Sequence, residues 1–192
     1  MKVITINREY GAGGHSIGTE VAKALGIEFY DKDIILNVAK ESGIDSELVK
    51  ADNEEISRVD SFIRAITPMG YDQKETIYEA QSKVIIELAK KGPCVILGRC
   101  ANDVLKKAGI ETFDVFIYSD DDSKIKRACE LLETDNENDA RKVMHSIDHN
   151  RRAYYHYFTE GNFNDCRNYN LCIDSGSVGY DKAVEIIVEA VK

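Results

Sequence analysis

VITINREYGAGGHSIG, residues 3–18, is the stretch on which the reading of this chain turns. A short β-branched run leads into Gly11, Gly13 and Gly14, and an amphipathic helical pattern (Val21, Ala22, Leu25) follows at once. Glycines let successive backbone N–H groups converge on one point, and a helix N-terminus behind them adds partial positive charge. Strand, glycine loop and helix in that order cradle phosphate. Glycines this dense exceed what a plain strand-to-helix turn requires. The Walker signature G-x-x-x-x-G-K-[ST] is nevertheless not met. With Gly13 as its second glycine, Gly14 stands at the lysine position; with Gly14 as its second glycine, His15 stands there and Ser16 keeps the hydroxyl position. The loop has the right form and lacks its main cation. Ser16 is then either a Mg²⁺ ligand or a helix cap.

Outward from this loop, strands and helices alternate. The patterning predicts a strand at 2–7, a helix at about 15–25 ending at Gly26, and a short extended piece, IEFY. Helical patterning then runs from 31 to 67, breaks at PMG (68–70), and resumes over about 73–91 with Ile77, Ala80, Val84, Ile85 and Leu88 on one face. A buried strand follows at 94–99 (CVILGR), then a helix at 100–108, a strand at 113–118 and helices at about 120–133 and 136–158. A strand at 169–174 and a helix from 179 onward close the chain. Continuously apolar strands separated by helices imply a parallel sheet covered on both faces, a three-layer α/β/α architecture of about five strands. Binding crevices in such sheets lie at the carboxyl ends of the strands. Those ends here are polar: Asn7-Arg8-Glu9, Tyr30-Asp31, Gly98-Arg99, Ser119-Asp120 and Asp174-Ser175.

The 192 residues suit one domain with a real core, and 43% apolar with 31% charged residues is ordinary for a globular protein. No apolar run approaches the roughly 20 residues of a membrane span, and MKVITINREYGAGG lacks the apolar stretch of a signal peptide. A net charge of −9 argues against a general nucleic-acid binder, while leaving room for one small anion held by local cations. Five cysteines without a C-x-x-C favour a reducing cytoplasm, and Cys94 and Cys172 read as small buried hydrophobes.

Cations that could serve the crevice are few. Arg99 closes its strand and would project a guanidinium suited to bidentate phosphate binding. Lys124, Lys126 and Arg127 follow the fourth strand, and Arg151 and Arg152 lie on the next long helix, after Asp148. Phosphoryl transfer needs cations around the migrating group and little covalent chemistry. Tyr154, Tyr155, Tyr157 and Phe158 beside the arginine pair read foremost as core packing, with packing under a lid or stacking on a base as the other roles open to them. His145, His149 and His156 recur at helical spacing without a partnering glutamate, so a metal site is not expected there.

Arg8-Glu9-Tyr10-Gly11-Ala12-Gly13-Gly14-His15, Tyr30-Asp31-Lys32, Gly98-Arg99 and Asp148-His149-Asn150-Arg151 together resemble motifs of the cytidylate kinase-like family, over nearly the whole chain. The resemblance implies a P-loop NTPase fold in a single domain, 1–192, with an acceptor-binding helical insertion at about 31–92 and a lid at about 120–158. Gly11, Ala12, Gly13, Gly14, His15 and Ser16 would bind the nucleotide, with Ser16 on Mg²⁺. Tyr30, Asp31 and Arg99 would hold the acceptor. Arg127, Arg151 and Asp148 would form the catalytic set. Cys100 stands where the relatives' G-R-D element has aspartate, and His15 replaces a common arginine. The implied activity is ATP-dependent phosphoryl transfer to a small acceptor, a nucleoside monophosphate such as CMP or dCMP by default. Two other readings stand beside it: a nucleotide-binding regulatory module with little turnover, and a kinase for another small metabolite. Neither nucleic acid nor membrane is expected as a partner, and a homodimer is compatible with the reading.

Overall fold

The computed structural model describes residues 2–41 and 71–192. The expected helical segments over 42–67 and the PMG break at 68–70 lie outside the described residues, as does the middle of the proposed 31–92 insertion. The elements run β1 (Val3–Arg8), α1 (Gly14–Leu25), β2 (Glu28–Tyr30), α2 (Lys32–Glu41), α3 (Tyr71–Lys91), β3 (Cys94–Leu97) and α4 (Ala101–Lys107). They continue through β4 (Thr112–Tyr118), α5 (Asp121–Leu132), α6 (Glu137–Thr159), a 3₁₀ turn (Cys166–Asn168), β5 (Leu171–Asp174), α7 (Ser175–Val178) and α8 (Tyr180–Val191).

All five strands are parallel, in the order β2-β3-β1-β4-β5, so the glycine loop leaves the central strand. Alternation along β1 sorts its side chains to two faces. Ile4 and Ile6 pack with Ile17 and Val21 of α1 and with Ala183 and Ile187 of α8. On the other face Val3 and Ile96 meet Val84, Ile85 and Leu88 of α3 and Leu105 of α4, while Phe116 meets Tyr155 and Phe163. Each fully buried aliphatic side chain contributes on the order of 1.5–3 kcal/mol, which is what holds helix layers to both faces.

Two expectations are corrected. The strand over 94–99 stops at Leu97, because Gly98, Arg99 and Cys100 all take positive φ (75°, 57° and 56°), incompatible with a ladder. The closing helix from 179 onward is found as α8, with Gly179 (φ 79°) at its N-cap, and a one-turn helix that was not expected, α7, precedes it. Cys94 is buried as expected, whereas Cys172, on the strand at the sheet's edge, is only half-buried.

Candidate functional site

The loop begins where Arg8 ends β1. Gly13 sits at the N-cap of α1 in the left-handed conformation (φ 76°, ψ 9°), and no side chain caps the helix. The first turn carries no acidic residue either, so the positive end of α1 is left to whatever the loop binds. A Cβ on Gly13 would run into the Tyr180 ring, whose hydroxyl donates to the Gly11 carbonyl at 3.5 Å. Gly11 backs onto the main chain of Lys124. Ala12 is buried, and its carbonyl accepts a 2.8 Å hydrogen bond from Ser175, which also donates to the Tyr118 carbonyl. Glycine loop, β4 end and β5 end are thereby joined at one hydroxyl.

His15 is exposed on α1; its Nε2 lies 3.3 Å from Asp31 and its ring meets Phe29 edge-on. Asp31 also accepts from the backbone N–H groups of Asp33 and Ile34, capping α2. Tyr30 is half-buried at the end of β2, and burial raises its hydroxyl pKa. Ser16, half-buried, follows His15 in the first turn of α1. Among the described residues no group of three His, Cys, Asp or Glu could hold a metal ion, so a cation here would depend on Ser16 and a ligand's own oxygens.

Across the crevice, Arg99 and Cys100 occupy consecutive left-handed conformations, costly for non-glycine residues and characteristic of functional sites. The Arg99 guanidinium lies over the Tyr154 ring, 5.1 Å from its centre. Arg151 comes from α6. Its Nη1 donates to the Arg8 carbonyl at 3.0 Å and approaches Asp148 at 3.4 Å, and its guanidinium lies over the Tyr10 ring. Asp148 in turn accepts from the Tyr10 backbone N–H at 2.8 Å. Burial pushes the Asp148 carboxyl pKa up despite Arg151 beside it, and burial lowers Arg151 to about 10 despite Asp148.

Arg8 completes this group, and the sequence reading gave it no site role. Burial, then the like charges of Arg151 and Arg99, hold its guanidinium pKa well below the ordinary value, partly offset by Asp148 and Asp31. Three guanidinium groups thus act on one another at the carboxyl ends of β1 and β3. The available signal was the strand end Asn7-Arg8-Glu9 itself. In β1 the even positions face α1, so Arg8 points into the crevice, whereas Asn7 bonds Asn102 and Tyr169 beneath the other face.

The cations of α5 behave differently. Lys124 is buried and bonds Glu9 at 2.8 Å and Asp121 at 3.1 Å. Burial pulls its ammonium pKa down, but those two carboxylates outweigh burial and the pKa is raised. Arg127 bonds Glu130 at 2.7 Å on an exposed face, within electrostatic reach of Tyr10 and Tyr180. The acidic stretches before these helices serve as caps: Asp120 accepts from Ser123 N–H, and Asn136 from the N–H groups of Asn138 and Asp139.

A model of the cytidylate kinase-like family matches residues 3–177. This chain belongs to that family. Among solved structures, a crystal structure of an uncharacterized protein from Eubacterium ventriosum is similar at 27% identity and TM-score 0.76, covering 100% of this chain and 98% of that one. Shikimate kinase from Bacteroides thetaiotaomicron matches at 14% identity and TM-score 0.56 (99% and 98% covered). Shikimate kinase from Acinetobacter baumannii, solved with shikimate, matches at 16% and 0.52 (98% and 93% covered). A comparison with curated proteins finds no match. At these identities the shikimate kinases show the fold alone: the cytidylate kinase-like chain has the three-layer architecture of P-loop kinases. No helix among its described residues is long and apolar enough to cross a membrane.

Proposed function

We propose that this cytidylate kinase-like chain transfers the γ-phosphoryl group of ATP to a small acceptor, a nucleoside monophosphate of the CMP or dCMP kind. The observation that carries this reading is the convergence of Arg8, Arg99 and Arg151 beside an uncapped, glycine-rich helix N-terminus. Like charges gathered where burial strips them of water are costly unless an anion joins them, and a polyphosphate with a phosphorylated acceptor supplies several negative charges at once.

In this reading the amides of Gly11 to Ser16 hold the donor phosphates. The Ser16 hydroxyl would help to hold magnesium, and that ion would supply charge neutralisation on the leaving group. Arg99 binds the acceptor's phosphate from the β3 side. Arg127 and Arg151 stabilise the charge that develops on the migrating group, which is the principal demand of this chemistry. Asp148 is better described as a positioning residue: it ties the Tyr10 amide to Arg151 and so fixes the loop against α6. Helices α5 and α6 would act as the lid, in a protein working in the cytoplasm as one domain.

ATP consumption measured against nucleoside monophosphates, small alcohols and shikimate tests the reading directly, shikimate being included because two similar structures are shikimate kinases. Arg99→Ala should raise the acceptor KM or abolish turnover while ATP affinity stays nearly intact; equal loss of both would remove Arg99 from the acceptor side. The absent loop lysine favours the second reading, a nucleotide-binding regulatory module. ATP binding without consumption on any acceptor would select it.

A further inference from the structure

The departures from the Walker pattern at positions 8 and 14 are physically one change. With Gly13 as the second glycine of G-x-x-x-x-G-K, the first glycine falls at position 8 and the lysine at position 14. This chain has arginine at the first and glycine at the other. A Cβ built on Gly14 would stand 2.6 Å from Arg8 Cβ and 2.7 Å from Arg8 Cγ. The arginine stem therefore fills the space through which a side chain at 14 would leave the helix. At its far end, Arg8 Nη1 lies against Gly98, where any Cβ would collide with it. The side chain thus spans from the glycine loop to the residue preceding Arg99, between the donor side and the acceptor side.

We propose that Arg8 is the loop's displaced cation: its guanidinium takes the phosphate-binding role of the missing lysine, reaching the crevice from the first-glycine position instead of position 14. This rests on the reading that the loop holds polyphosphate. A purely structural arginine would gain nothing from two further guanidiniums in its neighbourhood, whereas a phosphate ligand gains a shared anion. Arginine also offers a two-pronged grip where lysine offers a point charge, so the exchange suits a phosphate lying between two subsites.

Titration calorimetry with inorganic pyrophosphate and with ATP, alongside turnover, tests the proposal on four proteins: the parent, Arg8→Met, Gly14→Lys, and the double variant Arg8→Gly/Gly14→Lys. Arg8→Met should weaken pyrophosphate binding about tenfold or more, as expected for a charge-assisted contact. Gly14→Lys should also lose binding, through collision with the Arg8 stem, and the double variant should regain most of it. Where a variant does not fold, protection supplies the answer: pyrophosphate should shield Arg8 of the parent from phenylglyoxal, read by mass spectrometry. Folded Arg8→Met binding within about twofold of the parent, or unshielded Arg8, overturns the proposal. If the parent consumes ATP and Arg8→Met does so equally, Arg8 is structural and the kinase reading survives. If Arg8→Met loses pyrophosphate while the parent turns over no acceptor, the proposal stands and the kinase reading falls. A parent that binds neither pyrophosphate nor ATP sinks both.

Discussion

Lys124 and Arg127 on α5 face carboxylates at 2.8 Å and 2.7 Å, from Glu9 and Glu130, while Arg8 feels chiefly the like charges of Arg151 and Arg99, and Arg151 approaches at 3.4 Å an Asp148 carboxylate that also takes up the Tyr10 amide. Both groups border the same glycine loop, and in the sequence the first is the more conspicuous, inside the run KIKR. Pairing separates them. A cation such as Lys124 or Arg127 has its charge met by a neighbouring carboxylate, whereas Arg8, whose largest charge interactions are with other cations, is poised for an anion. The difference teaches that a basic run in sequence does not by itself mark a site, and that a site is marked by charge the fold leaves incompletely matched.

The largest test of this contrast is Arg151→Ala. Turnover should fall by roughly 10²-fold or more, with ATP affinity changing much less, as for a group acting on transition-state charge. Arg127→Ala should cost less, because Arg127 is spread over an exposed face and shared with Glu130. If both leave kcat within about twofold of the parent, the contrast has no catalytic meaning and the regulatory-module reading is better.

Lys124→Met probes the opposite side. Glu9 would lose its principal cation while keeping its bond from Asn164 at 3.1 Å. Urea unfolding should show a loss of about 2–3 kcal/mol, below the cost of a fully buried broken pair because Asn164 remains. Turnover of the folded variant should change far less than in Arg151→Ala. A collapse of turnover at unchanged stability would place Lys124 among the phosphate ligands instead.

The smallest effect concerns Asp148. Burial raises its carboxyl pKa in the folded chain above the unfolded value. The folded state therefore holds this proton more tightly, and the associated stability, fully present below the unfolded pKa, is lost as pH rises through the raised folded value. Asp148→Asn removes that dependence. As pH rises from below the ordinary carboxylate range through the raised folded value, denaturant unfolding should show the variant losing less stability than the parent. A gap that widens the other way would mean that Arg151, not burial, governs the carboxyl.

Much of this fold was legible beforehand because its signals are local. Alternating apolar strands and amphipathic helices announced a parallel, doubly covered sheet, and the period of Ala80, Val84, Ile85 and Leu88 matched the buried face of α3. The convergence of Asp174-Ser175 with the loop was foreseeable from strand ends, and Ser175 does bond the Ala12 carbonyl. Arg99 was visible as the polar end of a strand, but its left-handed backbone was not, since the apolar run CVIL carries no signal of where the ladder stops.

By itself the sequence determined the elements, the glycine loop and the polar strand ends, since hydrophobic period and glycine content act within a few residues of themselves. Only the tertiary structure decided which cations were already matched. Glu9 and Lys124 meet across 115 positions and Arg8 and Arg151 across 143, and no local pattern encodes contacts at that separation. Strand order placed β1 between β3 and β4, and that order brought Arg8 to Gly98. Charge matching is a property of distances between side chains, and those distances exist only once the sheet has set its order and register.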